Sequence, residues 1–214
     1  MTIHLFLHHQ NPDMLDRESD YVKNYLERIG KISQDIVSQD YTNLQEYKMS
    51  DHYGYVENGV WYFKILKSKD TGICLQDSSE EFKILLEDPN IMCVGVNRFP
   101  PKSKVKEHVD PPYYGKKLWR ILVPIKASDA YLKGMNGTQK VVSGNCYIFD
   151  ITYEFHHGWN SSEDEDFVVA TFDILYETDS DNVGEHYWSK YNGGEIYSKV
   201  LNIDLAMYEK VNHD

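Results

Sequence analysis

From Ile91 onward the sequence breaks into short apolar runs divided by turn residues, and this pattern constrains the fold more than any other feature of the chain. The runs are Ile91 to Phe99, Leu118 to Ile125, Ala130 to Lys133, Thr138 to Val142, Asn145 to Asp150 and Phe167 to Tyr176. Between them lie Pro100-Pro101, Pro111-Pro112, Asn136-Gly137, Ser143-Gly144 and Asn160-Ser161-Ser162. Proline presets one backbone angle and glycine reaches conformations closed to other residues, so these pairs end strands and start turns. Short strands at such spacing predict an all-β sandwich or barrel. Phe167 to Phe172 is apolar on both faces, which predicts a central strand covered on both sides. Gly134-Met135-Asn136-Gly137 predicts a hairpin turn.

The first ninety residues are mixed. Ile3 to Leu7 reads as a short strand. Met14 to Gln39 reads as an amphipathic helix, with a stripe at Leu15, Val22, Leu26, Ile29, Ile32 and Ile36. Val60 to Leu66 is a further strand. Ser78-Ser79 before Glu80-Glu81 marks a helix start, running to Leu86 and stopping near Pro89. After the β region, Glu177 to Gly194 is acidic and reads as an exposed loop, and Ile196 to Val211 reads as a closing helix. No composition break divides the chain. The expectation is one domain over 1–214, with a mixed helical part at 1–90, a β core at 91–176 and a C-terminal loop and helix at 177–214. A 41% hydrophobic content is enough to fill such a core.

Charge narrows the partners. With 22 basic and 34 acidic residues the net charge is −12. That balance repels nucleic-acid phosphates and anionic membrane surfaces. No apolar run has the length of a membrane span. Met1 to Gln10 holds three histidines and no basic n-region, unlike a secretion signal. Cys74, Cys93 and Cys146 form no CxxC pair, which fits free thiols in a reducing, cytoplasmic setting. The expected partner is a small-molecule or peptide substrate.

The chemistry concentrates in two stretches. In Lys106-Glu107-His108-Val109-Asp110-Pro111-Pro112, an extended backbone points His108 and Asp110 the same way, about 6–7 Å apart. About 45 residues later comes Phe155-His156-His157-Gly158-Trp159-Asn160. A histidine from this stretch returns beside His108 if the strands between fold as a sandwich. Two imidazoles and one carboxylate hold a metal on one side only, as in the facial triad of non-haem Fe(II) oxygenases. Neighbouring strand residues face opposite ways, so His156 and His157 compete for the distal place. His4, His8 and His9 have no carboxylate at useful spacing and read as surface or packing residues. Glu163-Asp164-Glu165-Asp166 reads as a solvated loop. No GxSxG, P-loop or dinucleotide-binding glycine pattern occurs.

Residues 90 to 176 resemble the aspartyl/asparaginyl β-hydroxylase-type family of 2-oxoglutarate- and Fe(II)-dependent oxygenases. The resemblance lies in five features in order: His108-x-Asp110, the strand Trp119 to Ile125 with Arg120, Gly144 to Asp150, His156-x-x-Trp159-Asn160, and the strand Val168 to Ile174. It implies a double-stranded β-helix, a mainly β jelly roll of cupin-like form with flanking helices. It implies Fe(II) held by His108, Asp110 and His156, with His156 chosen over His157 by its distance from Trp159 and Asn160. It implies 2-oxoglutarate as cosubstrate, anchored by Arg120, and hydroxylation of an amino-acid or peptidyl side chain. Arg120 interrupts an apolar strand, where a buried charge requires a partner. Arg98 and Lys106 are weaker anchors, and Asn97 and Tyr113 are candidate pocket residues. The family's usual arginine before the closing strand is Phe167 here. That departure keeps two alternatives open: a jelly-roll binding module with a structural metal, and a cupin enzyme that uses no 2-oxo acid.

Overall fold

The computed structural model describes residues 3–5, 12–49, 56–110, 117–134, 137–152, 155–176 and 208–210. Its core is eight strands: β6 (Ile91–Phe99), β7 (Lys104–Val105), β8 (Lys117–Lys126), β9 (Ala130–Gly134), β10 (Gly137–Lys140), β11 (Cys146–Asp150), β12 (His157–Asn160) and β13 (Phe167–Tyr176). They pair as a nested set, all antiparallel: β6 with β13, β7 with β12, β8 with β11, and β9 with β10. The chain thus runs as one long hairpin whose innermost described pair is Gly134 with Gly137. That hairpin coils on itself. Its coils close where β13 meets β8 and β12 meets β9. Two facing sheets result, ordered β11-β8-β13-β6 and β10-β9-β12-β7 within the full topology. This is a double-stranded β-helix, mainly β with a few helices, as expected.

The N-terminal part does more than cover this core. β1 (Ile3–Leu5), β2 (Glu46–Met49), β4 (Tyr62–Ser68) and β5 (Gly72–Ile73) widen the larger sheet, while β3 (Val56–Asn58) joins the smaller one. β1 pairs parallel with β11, and β4 pairs with β6. The expected helix is split into α1 (Pro12–Lys31) and α2 (Ser33–Ser38), because Ile32 leaves helical geometry at φ −101°, ψ 11°. Its predicted stripe is buried at Val22, Leu26, Ile29, Ile32 and Ile36. α3 (Glu80–Glu87) starts at Ser79, whose side chain accepts the Phe82 N–H, with acids in its first turn. These helices pack on the outer face of the larger sheet, against Val94, Ile121, Ala170, Phe172 and Ile174. Each valine, isoleucine or phenylalanine among them contributes about 1.5–3 kcal/mol by leaving water.

The closing helix expected over Ile196 to Val211 is corrected in part. Tyr208–Lys210 is a strand, β14, paired with the otherwise open edge of β2. An open edge offers unpaired backbone donors and acceptors, and this pairing satisfies them. The rest of that helix, and the predicted acidic loop from Glu177, lie outside the described residues. No helix among the described residues is long and apolar enough to cross a membrane.

Candidate metal centre

The inner face of β13 presents Phe167, Val169, Thr171, Asp173 and Leu175 to the space between the sheets. Phe167, Val169 and Leu175 pack there with Val105, Ala130 and Leu132 of the facing sheet. Along this face the interior changes character. At Phe167 it is aromatic: Phe167 stacks on Phe99, and Phe99 on Trp61, with centroids 5.7 Å apart in both pairs. At Asp173 it is charged. Asp173 sits between Cys93 on β6 and Arg120 on β8 in the strand register.

His108, Asp110 and His156 gather opposite this charged row. Beyond β7 and before β12 the hairpin continues as one bridge, His108 with His156. Each backbone donates to the other, at 3.1 and 2.9 Å. The bridge sets the two rings side by side, with centroids 4.5 Å apart. Two residues on, the Asp110 N–H donates to the Ile151 carbonyl at 2.7 Å, fixing the carboxylate beside them. One donor atom from each of the three residues lies within 4.8 Å of the others. His108 Nδ1 lies 2.7 Å from the Lys106 carbonyl. A carbonyl only accepts, so Nδ1 carries the proton and the lone pair sits on Nε2. That Nε2 faces Asp110 Oδ1 at 3.5 Å, while His156 Nε2 lies 3.8 Å from Oδ2.

The donor set fits a first-row transition metal. Imidazole and carboxylate together suit iron and its neighbours, and the proton on Nδ1 leaves His108 ready to ligate. Asp110 Oδ2 is buried and accepts no aligned hydrogen bond; its neighbour is Arg120 Nη1 at 2.9 Å, a charge contact. Burial raises the Asp110 carboxyl, but Arg120, and then the two imidazoles, outweigh it and hold it below the usual carboxylate range. Arg120 is itself held charged. Burial opposes its charge, and Asp173 and then Asp110 reverse that. Cys93, half-buried and beside Asp173, has its thiol pushed up to about 12 by desolvation and then by that carboxylate, and stays protonated.

His157 points away from this cluster. Its Nδ1 lies 3.7 Å from Glu107 and its ring packs 5.3 Å from Trp159. Arg98 is taken by Glu46 and Asp166 and lies over the Tyr62 ring. Lys106 is exposed, and its carbonyl is what holds His108. Asn97 is buried, accepts from Trp61 Nε1 at 2.8 Å and donates to Thr171 at 3.0 Å. Tyr113, His8 and His9 lie outside the described residues. In the acidic loop Glu163 pairs with Lys102 and Glu165 with Lys126. The three cysteines are free thiols. Sequence reasoning gave no role to Asp173. Its signal was available: a lone acid in an apolar strand needs a counter-charge, and Arg120 is the lone base within the apolar run Leu118 to Ile125.

No protein-family model matches the sequence, and no curated protein does. Several solved structures of cupin-superfamily proteins are similar. A predicted oxalate decarboxylase from Thermotoga maritima is 12% identical with a TM-score of 0.43, covering 64% of this chain and 97% of that one. A cupin-like protein from Thermotoga maritima MSB8 is 14% identical with a TM-score of 0.40, over 72% and 99%. A sugar phosphate isomerase of the cupin superfamily from Silicibacter pomeroyi is 11% identical with a TM-score of 0.42, over 67% and 82%. At such values the likeness carries no chemistry, and the fold rests on the nested strand pairs.

Proposed function

We propose that the chain is an Fe(II)- and 2-oxoglutarate-dependent dioxygenase that hydroxylates an amino-acid or peptidyl side chain or another small substrate. The observation that carries this reading is the convergence of His108, Asp110 and His156, with one ligand atom from each within 4.8 Å of the others. His108 and His156 would hold the ion through ring nitrogens and Asp110 through a carboxylate oxygen. Fe(II) with 2-oxoglutarate supplies the oxidising power for an unactivated C–H bond, giving succinate and CO₂ alongside the hydroxylated product. The chain supplies position. The paired backbones of His108 and His156 fix the two rings, and Arg120 offers a fixed cation for an anionic ligand. Asp173 and Asp110 do not exhaust the donors of a guanidinium. The aspartyl/asparaginyl hydroxylase resemblance supports the same assignment.

A second reading is a cupin enzyme that uses this metal without a 2-oxo acid. It is favoured by Phe167, buried against Phe99 where the resemblance expects an arginine, and by the engagement of Arg120 with two carboxylates. Incubation with Fe(II), 2-oxoglutarate and O₂ separates them. Succinate that disappears in His108→Ala and Asp110→Ala supports the dioxygenase. Oxygen uptake without succinate supports the second reading, and neither product leaves a binding module.

A further inference from the structure

Arg120 stands between two carboxylates of unequal role. Asp173 takes its Nε at 2.6 Å and its Nη2 at 2.9 Å, a two-point fork that fixes the guanidinium plane. The remaining nitrogen, Nη1, then meets Asp110 Oδ2 at 2.9 Å. We propose that Asp173 is a positioning residue of the metal centre: by forking Arg120 it places Nη1 on Oδ2 of Asp110 and leaves Oδ1 as the oxygen offered to the ion. The inference rests on His108, Asp110 and His156 being the metal ligands.

Local charge explains why a second, half-buried acid is present. Arg120 and Asp110 alone would make a neutral pair, with the guanidinium competing against any cation for the carboxylate. With Asp173 the three groups sum to one negative charge, and Asp110 keeps its share for a divalent ion. Burying two carboxylates around one guanidinium is costly unless every charge is matched. A bound divalent ion would offset the unmatched carboxylate and leave one positive charge for an anionic ligand. The side chains of Asp110, Asp173 and Arg120 are only 9%, 13% and 22% exposed, so solvent does little to screen these contacts. Partners that orient a ligand without touching the metal change metal affinity by about 10- to 100-fold when removed.

The test is Co(II) titration of the full chain, read by its visible spectrum and by dissociation constant, with melting curves run in parallel. Wild type should bind one ion and His108→Ala should lose it. Asp173→Asn should weaken binding by about 10- to 100-fold and alter the Co(II) bands. Adding Arg120→Met to Asp173→Asn should restore much of that affinity, since the competing cation is then gone. A purely structural Asp173 would change the melting temperature without this rescue. Unaltered affinity in Asp173→Asn, or no recovery in the double variant, overturns the proposal alone. Wild type that takes up no Co(II), or His108→Ala that binds as wild type does, overturns the metal reading and the proposal with it. Should Asp173→Asn fail to fold, Arg120→Met with and without Asp173→Asn replaces it. Equal affinities are expected there, and a further loss on removing Asp173 overturns the proposal.

Discussion

Asp173 and Phe167 lie on one face of one strand, six positions and about 20 Å apart, and their surroundings are opposites. Around Asp173 are Arg120, Cys93 and, across the barrel, the His108–Asp110–His156 cluster. Around Phe167 are Phe99, Val169 and Leu122, with Trp61 stacked beyond. One end of the barrel is built to hold charge, and the other holds the two sheets together. The contrast teaches where an anionic cosubstrate is able to bind. At the aromatic end Arg98 is taken up by Glu46 and Asp166, so the proposed anchor, Arg120, belongs to the charged row.

Substitutions at the two ends should fail differently. Phe167→Ala should cost the most stability, about 3–5 kcal/mol in urea unfolding, while leaving metal affinity as in wild type. A matching loss of metal binding would break the division between the ends. Arg120→Leu strands the buried Asp110 and the half-buried Asp173 and should cost about 3 kcal/mol at neutral pH. Its cost should depend on pH. In wild type the Asp110 carboxyl is held below its unfolded value, so it stabilises the fold above about pH 4. That contribution is lost as pH falls through the lower folded value. Without the guanidinium, burial raises the same carboxyl, so the deficit of Arg120→Leu should shrink as pH falls towards 4. A pH-independent deficit, measured by unfolding at several pH values, would contradict the ion-pair account. Trp61→Phe keeps the stack but leaves the Asn97 oxygen without its donor, and should cost about 1–3 kcal/mol. His157→Ala should have the smallest effect, leaving metal affinity unchanged while His156→Ala abolishes it; a metal titration compares the two.

The longer core strands were legible because proline and glycine pairs cut apolar runs cleanly. β6 and β13 match their predicted bounds, Ile91 to Phe99 and Phe167 to Tyr176. β7 and β12 were not. Lys104-Val105 is two residues long, and His157-Gly158-Trp159-Asn160 carries little apolar content. Both exist through long-range pairing, which local pattern does not encode. The same holds at Tyr208–Lys210, where a helical spacing gave way to the open edge of β2. In the site, alternation along an extended chain foretold that His156 and His157 face apart. The Arg120–Asp173 fork was hidden because it depends on the register of β8 against β13.

The central claim is that three side chains from distant stretches hold one ion and leave part of its coordination open. Anomalous diffraction from crystals soaked with Mn(II) tests it directly. The account predicts one peak at bonding distance from His108 Nε2, the Asp110 carboxylate and a ring nitrogen of His156, with Arg120 still forked on Asp173. A peak on His157 or elsewhere, or none at saturating Mn(II), would contradict it.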